Sequence, residues 1–350
     1  MAHLVALDLP GGPEFVRELH RIWDAGDAAF PVDQRLPAAA RSDLCRVMRV
    51  GEPVEPGDAL VIATSGSTGD PKGVVLTHDA VAASAEATNA RLSVEPTDHW
   101  LACLPLSHVG GLSVVTRAVH AGTALTVHPG FDADAAMASG ATMVSLVSTA
   151  LTRIDPTRFR TIVLGGSRPP IDRPENCVTT YGMTETGSGV VYDGMPLHGV
   201  EVRVVDGEIR LRGPMLLRQY RSGIDPKDAD GWFATGDLGR WLDDGRLHVE
   251  GRRGDLIITG GENVWPDAVE RLLLTHPAVG DVLVRGAPDP EWGHVVEVLV
   301  VPAGPPPSLD ELRVHVKRSA PSFMAPKRLT LVERIPRTAL GKPIRAARPT

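Results

Sequence analysis

The chain of 350 residues is long enough to bury a large core and divides most naturally into two domains; its 43% hydrophobic and 23% charged content is ordinary for a globular protein. A formal charge of -7, with Lys and Arg scattered rather than clustered, excludes the electrostatic footprint of a nucleic-acid binder, although a local loop can still attract a small anion. Three widely spaced cysteines (Cys45, Cys103, Cys177) suggest neither a disulfide framework nor a metal site, and no apolar run reaches the ~18–20 residues of a membrane span. The opening MAHLVALDLPGGPE carries no basic leader, so a reduced, cytoplasmic setting is expected.

The first 58 residues read as weakly organised, with Pro and Gly punctuation and one helix over GPEFVRELHRIWDAG, where Pro13 suits the first turn and Gly26 the end. From ALVIAT onward, short apolar runs alternate with glycines and amphipathic segments, which suits an α/β arrangement. HDAVAASAEATNARL has helical propensity, MVSLVSTALTRI reads as a helix and FRTIVLGG as a buried strand. Around Val200 the signal turns to β: VEVRVVDGEIRLRG and GRWLDDGRLHVEGR carry Asp206-Gly207 and Asp244-Gly245, the dipeptide that supplies the positive φ angles of a tight hairpin. After GRRGD a second small α/β unit follows. Its helix PDAVERLLLTHP starts on Pro266, its strands are DVLVRG and VVEVLVVP, and Ser308 and Glu311 have capping-box spacing. The fold class expected is α/β, a multi-domain α+β arrangement. A large N-terminal domain (1–251) of layered sheets and helices with a hairpin module precedes a small, mobile C-terminal α/β domain (252–350).

TSGSTGDPKG, Thr64 to Gly73, lies between two β-like runs and departs from a Walker A loop, because Lys72 is followed by glycine. Composition alone leaves two readings open, a solvated turn or a phosphate holder. In the second, anions would meet backbone N–H groups freed by Gly66, Gly69 and Gly73, hydroxyls of Thr64, Ser65, Ser67 and Thr68, and the Lys72 ammonium.

The full string TSGSTGDPKGVVLTH resembles the phosphate-loop signature of the adenylate-forming superfamily of acyl-CoA synthetases, adenylation domains and luciferases. Further motifs of that superfamily occur in order. YGMTE resembles its nucleotide-pocket motif, which implies Tyr181 and Gly182 against adenine, Thr184 at phosphate and Glu185 on Mg²⁺. LGGS places Gly165, Gly166 and Ser167 where the backbone would reach the adenine edge. Asp237, in GWFATGDLG, would accept the ribose hydroxyls, and Arg252 would contact ribose or phosphate. GGEN (Gly260, Gly261, Glu262, Asn263) would line the pantetheine tunnel, Gly254 stands where the hinge is commonly Asp or Lys, and Lys342 in PRTALGKPIR occupies the place of the catalytic lysine. The motifs span Thr64 to Lys342.

That resemblance implies ATP, Mg²⁺ and coenzyme A acting on a small carboxylic acid, by adenylation and then thioester formation, with domain rotation between the steps. LPLSHVGGL and YGMTETGSGVVYDGMPLHGVEVRV are most similar to the o-succinylbenzoate-CoA ligases of menaquinone biosynthesis in their short actinobacterial form. His108 would then flank the acyl pocket, or else pack at a strand end. Ser188, Gly187 and Gly189 would leave room for a bulky acid and offer N–H groups to a second carboxylate. Another aryl or acyl acid, a stand-alone adenylation enzyme and a non-catalytic nucleotide binder stay open from the residues alone. A homodimer is compatible with the superfamily, and neither nucleic-acid binding nor membrane insertion is expected.

Overall fold

A computed structural model describes residues 1–65, 71–166, 172–336 and 345. Its contacts divide the chain into two compact units, one of Met1–Arg203, Arg210–Ala234 and Trp241–Leu247, the other of Val204–Ile209, Thr235–Arg240 and His248–Thr350.

Among the described residues the first unit contains two large sheets. One has the order Leu4–Leu7, Ala28–Pro31, Asp58–Ser65, Pro71–Thr77, Gln219–Tyr220, the first two neighbour pairs parallel and the last two antiparallel. The expected helix forms over Pro13–Asp24 with Pro13 at its start and Gly26 at φ 78 just beyond it. The rest of the first 58 residues is better organised than their composition predicts, adding two strands and a helix over Ala38–Val47. The strands LVAL and AAFP are only four residues long, and Ala28–Pro31 is buried throughout, so neither shows the alternation that marks a half-exposed strand.

The other sheet has the order Met195–Pro196, Gly189–Tyr192, Cys177–Gly182, Thr161–Leu164, Met143–Leu146, His99–Ala102, Ala124–Val127. The last five are mutually parallel. This corrects one expectation: MVSLVSTALTRI is not one helix, because Met143–Leu146 is a fully buried strand and only Ser148–Leu151 is helical. A strand buried on both faces is a continuous apolar run, which periodicity alone does not separate from a helix.

A third sheet is ordered Glu201–Val205, Glu208–Arg212, Phe233–Trp241, Leu247–Arg252. Asp206 and Gly207 both have positive φ (50 and 77), the signature of a two-residue type I′ turn. At the second Asp-Gly only Gly245 is left-handed, and the wider loop closes through Leu242 N–H to the Arg246 carbonyl at 2.8 Å.

The second unit is built on Glu262–Val264, Ile257–Thr259, Gly293–Pro302 and Val279–Asp289, with Arg328–Leu331 parallel to Gly293–Pro302. Helices Pro266–Leu274 and Leu309–Lys317 bury Val269, Leu273, Leu312 and Val316 against Val282, Val284, Val296 and Val298. At about 1.5–3 kcal/mol per buried Val or Leu, this core is what fixes the two helices to the sheet. The capping box is present: Ser308 N–H donates to Glu311 Oε2 at 2.7 Å and Glu311 N–H to Ser308 Oγ at 3.3 Å. Among the described residues no helix is long and apolar enough to cross a membrane.

Candidate active site

In an open α/β sheet, ligands collect beyond the carboxyl ends of the parallel strands. Three sequence-predicted groups lie there: Gly165 and Gly166 follow Thr161–Leu164, YGMTE closes Cys177–Gly182, and His108 comes six residues after His99–Ala102. Thr180 Oγ1 donates to the Leu164 carbonyl at 3.1 Å, so the two strand ends are tied together. A Cβ on Gly165 would stand 3.0 Å from that hydroxyl, and Gly166 has φ 80, so this strand end favours glycine. Tyr181 is half-buried and pairs with Val191.

The phosphate-loop segment is a hairpin between Asp58–Ser65 and Pro71–Thr77, with Thr64 opposite Lys72 and Ser65 opposite Pro71. The Lys72 ammonium lies 5.2 Å from the centroid of the Tyr220 ring, and the Tyr220 hydroxyl donates to Glu185 Oε1 at 3.0 Å. Glu185 sits in the short 3₁₀ turn Thr184–Thr186, and its carbonyl accepts from Leu217 N–H at 2.8 Å. Lys72, Thr184 and Glu185 therefore converge, and Tyr220, which the sequence reading passed over, joins two of them. Its signal was faint: QYRSG is an isolated tyrosine in a two-residue edge strand.

After Glu185 the chain turns sharply. Thr186 is fully buried and donates to the Ser188 carbonyl at 2.6 Å. Gly187 borders a narrow slot of about 10 Å³ beside Leu76, Leu112, Ser113 and Thr116. Gly182 and Gly189 are cross-strand partners, and a Cβ on Gly182 would fall 2.1 Å from the Ser188 carbonyl oxygen, so these two glycines serve close backbone approach rather than open space. The Ser188 hydroxyl is hydrogen-bonded to Arg117, a guanidinium on helix Val109–Ala121 that is 3% exposed. Arg117 also reaches Tyr192 Oη at 3.2 Å and Ser145 Oγ at 3.4 Å, and lies 5.8 Å from the Trp100 ring centroid. Among the described residues its side-chain partners are all neutral and its Nε has none. A lone arginine inside the apolar run GGLSVVTRAVHAG was the available signal, since buried charge is rare without a purpose.

His108 is the residue before helix Val109–Ala121, and its carbonyl accepts from Gly111 and Leu112. Its Nε2 lies 2.8 Å from Arg35 Nη2 and 3.6 Å from Asp33 Oδ2. Burial alone would raise the Asp33 carboxyl, but two guanidinium hydrogen bonds and the Arg35 amide, with His108 beside it, hold it below the usual carboxylate range. The segment FPVDQRLP thus meets His108 through Asp33 and Arg35, which its composition did not announce. The Cys103 thiol, pushed up to about 12 by burial, offers no nucleophile.

In the second unit Asp237 is buried and Arg252 Nε approaches its Oδ1 to 2.8 Å, while Arg252 Nη1 donates to the Thr235 carbonyl at 3.0 Å. Gly260 and Gly261, with φ 58 and 85, form the turn between Ile257–Thr259 and Glu262–Val264, where Glu262 and Asn263 are exposed. A Cβ on Gly260 would come within 2.5 Å of the Trp292 ring. Gly254, in the turn Arg253–Asp255, has open space around it and no left-handed φ. Gly66, Ser67, Thr68, Gly69, Ser167 and Lys342 lie outside the described residues.

No group of three or more His, Cys, Asp or Glu able to hold a metal occurs among the described residues. A single carboxylate such as Glu185 fits a hard cation that keeps its waters and takes its remaining ligands from phosphate.

Known proteins resemble the chain over most of its length. The AMP-binding enzyme family matches residues 31–221 and the AMP-binding enzyme C-terminal domain matches residues 268–342. The probable 2-succinylbenzoate--CoA ligase of Mycobacterium tuberculosis is 39% identical over 98% of this chain and 97% of its own length. The 2-succinylbenzoate--CoA ligase of Bacillus licheniformis is 36% identical over 82% of this chain and 69% of its own. Among solved structures, the o-succinylbenzoate CoA synthetase (MenE) from Bacillus subtilis in complex with the acyl-adenylate intermediate OSB-AMP superposes with a TM-score of 0.90 at 29% identity, covering 99% of this chain and 88% of that one. The same synthetase in complex with ATP and magnesium ion gives 0.88 at 29% identity, over 98% and 88%. The chain belongs to the family of AMP-binding enzymes.

Proposed function

We propose that this protein activates o-succinylbenzoate with ATP and passes the acyl group to coenzyme A, the ligase step of menaquinone biosynthesis. The observation that carries the reading is the grouping of Lys72, Tyr220 and Glu185 beside the carboxyl ends of the parallel strands. It joins the phosphate-loop lysine to the acidic residue of YGMTE. Relatives named as 2-succinylbenzoate--CoA ligases over nearly the whole chain support the choice of acid.

In the first half-reaction a substrate carboxylate oxygen attacks the α-phosphorus of ATP and pyrophosphate leaves. Two anions must meet, so the site has to supply positive charge and fixed position. Lys72 and the hairpin loop hold the β and γ phosphates, Gly165 and Gly166 admit the adenine edge, and Tyr181 supplies an aromatic face. Glu185 would hold Mg²⁺, which when bound neutralises phosphate charge. Asp237 accepts the ribose hydroxyls and Arg252, its present partner, contacts ribose or phosphate. Lys342 stabilises charge at the reacting carboxylate. Residues 1–251 form the nucleotide and acid domain, and 252–350 turn about Gly254 to exchange Lys342 for the loop Gly260–Asn263 before the thiol attacks.

The acid pocket adjoins Gly187, Ser188 and His108, and buried Arg117 supplies the charge that a second carboxylate needs.

Incubation with ATP, coenzyme A and a panel of acids, with AMP release as readout, tests the reading. The expected result is release that depends on o-succinylbenzoate; no response to it refutes the choice of acid. Lys342→Ala should lose acyl-adenylate formation far more than thioester formation from supplied acyl-adenylate, and a normal adenylation rate removes Lys342 from its role.

A further inference from the structure

Lys72 and Glu185 carry opposite charges and flank the same phenol, yet among the described residues neither forms an ion pair with the other. Lys72 is exposed and Glu185 half-buried, so both are long, rotatable arms within reach of solvent. A lysine paired to a carboxylate must break that contact before it can hold phosphate.

Tyr220 contacts both residues. Its backbone is fixed on both sides: Gln219–Tyr220 runs antiparallel to Pro71–Thr77, with Tyr220 opposite Val74, and the flanking Arg221 N–H donates to the Gly73 carbonyl at 2.7 Å. Three residues earlier Leu217 N–H holds the Glu185 carbonyl at 2.8 Å. One short segment therefore grips both the strand that bears Lys72 and the turn that bears Glu185. The phenol then serves each charge differently. Its hydroxyl donates to Glu185 Oε1 at 3.0 Å, which leaves the other carboxylate oxygen for a cation, and its ring lies 5.2 Å from the Lys72 ammonium, an attraction that involves no anion.

We propose that Tyr220 is a positioning residue that keeps Lys72 and Glu185 from pairing, so that both meet the triphosphate and its divalent cation in their binding geometry. The proposal rests on the ligase reading above. It assigns Tyr220 no contact with the reacting atoms. Its energetic part is preorganisation: the phenol engages the two charges separately, Glu185 through its hydroxyl and Lys72 through its ring.

Equilibrium binding by calorimetry tests this without turnover. ATP with Mg²⁺, and AMP alone, are titrated into the wild type, Tyr220→Phe, Lys72→Gln and the double variant. Tyr220→Phe keeps the ring and removes only the donor to a charged oxygen, so affinity for ATP with Mg²⁺ should fall about tenfold while AMP binds within about twofold of wild type. In the Lys72→Gln background no competing pair can form, so the Tyr220→Phe penalty should shrink to under about threefold. The proposal is overturned if Tyr220→Phe binds ATP with Mg²⁺ as the wild type does, if it loses AMP and ATP alike, or if the penalty is undiminished without Lys72. Should Tyr220→Phe fail to fold, Tyr220→Met, which removes donor and ring together, should lose at least as much affinity for ATP with Mg²⁺ while AMP binds within about twofold of wild type. A wild-type chain that binds neither nucleotide refutes the ligase reading itself, a result distinct from these three.

Discussion

Two buried arginines, one in each unit, are surrounded in opposite ways. Arg117 is 3% exposed and is met by the hydroxyls of Ser145, Ser188 and Tyr192 and by the face of Trp100. Arg345, with its side chain 12% exposed, meets three carboxylates: Asp267 through Nη2, Glu270 Oε1 at 2.5 Å from Nη1, and Asp255 Oδ2 at 3.5 Å from Nε. It also donates to the Val284 carbonyl at 2.7 Å. Desolvating a guanidinium is costly unless an anion accompanies it. Arg345 is neutralised by its own chain and has nothing left for an outside anion, so its work is to join Asp255, Asp267 and Glu270 within the second unit. Among the described residues Arg117 meets no carboxylate, as the role proposed for it toward the acid requires.

The comparison breaks or holds on two substitutions. Arg345→Met leaves Asp255, Asp267 and Glu270 without their cation and should destabilise the second unit by about 3–5 kcal/mol, read from its denaturant midpoint. A loss under about 1 kcal/mol would show that the cluster is not a structural clamp. Arg117→Leu removes a charge that has no buried counterion, so stability should change by no more than about 1 kcal/mol. The KM for o-succinylbenzoate should rise about 10–100-fold, the value of a charge-assisted contact, while the KM for ATP stays put. An unchanged acid KM would make Arg117 a packing residue.

How much of this was legible in sequence depends on whether a residue acts alone or through a neighbour distant in the chain. Lys72, Glu185 and Asp237 stand inside strings whose order was diagnostic, and the structure brings the first two together. Tyr220, 35 positions from Glu185, is joined to it only by sheet pairing, and no local pattern encodes that contact. The same holds for Asp33 and His108, 75 positions apart by number and meeting at 3.6 Å. In the fold, the amphipathic helix over Pro13–Asp24 and the Asp206-Gly207 turn were readable because period and backbone angle leave local marks. Met143–Leu146 was not, since a buried parallel strand has lost the alternation that would distinguish it.

Two carboxylates sharpen the contrast at smaller scale through pH. Asp98 in the first unit, with its side chain 5% exposed, would be raised by burial, but Arg160 at 3.0 and 2.5 Å, the Glu95 amide and the Thr142 hydroxyl hold it below the usual carboxylate range. A depressed folded pKa gives stability that is present above the unfolded value, about 4, and is lost as pH falls through the folded one. Asp98→Asn should therefore cost about 1–2 kcal/mol at neutral pH, and the cost should fade in acid, as followed by unfolding midpoints at several pH values. Asp255 shifts the opposite way: burial raises its carboxyl despite Arg345, and Asp267 adds to the rise. A raised folded pKa favours the folded state below about pH 4 and loses that contribution as pH climbs through the folded value, so at neutral pH the ionised Asp255 is a small liability. With its side chain 41% exposed, solvent screens the effect, and Asp255→Asn should gain under about 0.5 kcal/mol at neutral pH and nothing in acid. A neutral-pH loss instead would mean that the attraction to Arg345 outweighs burial, and all three carboxylates would then count as necessary parts of the clamp.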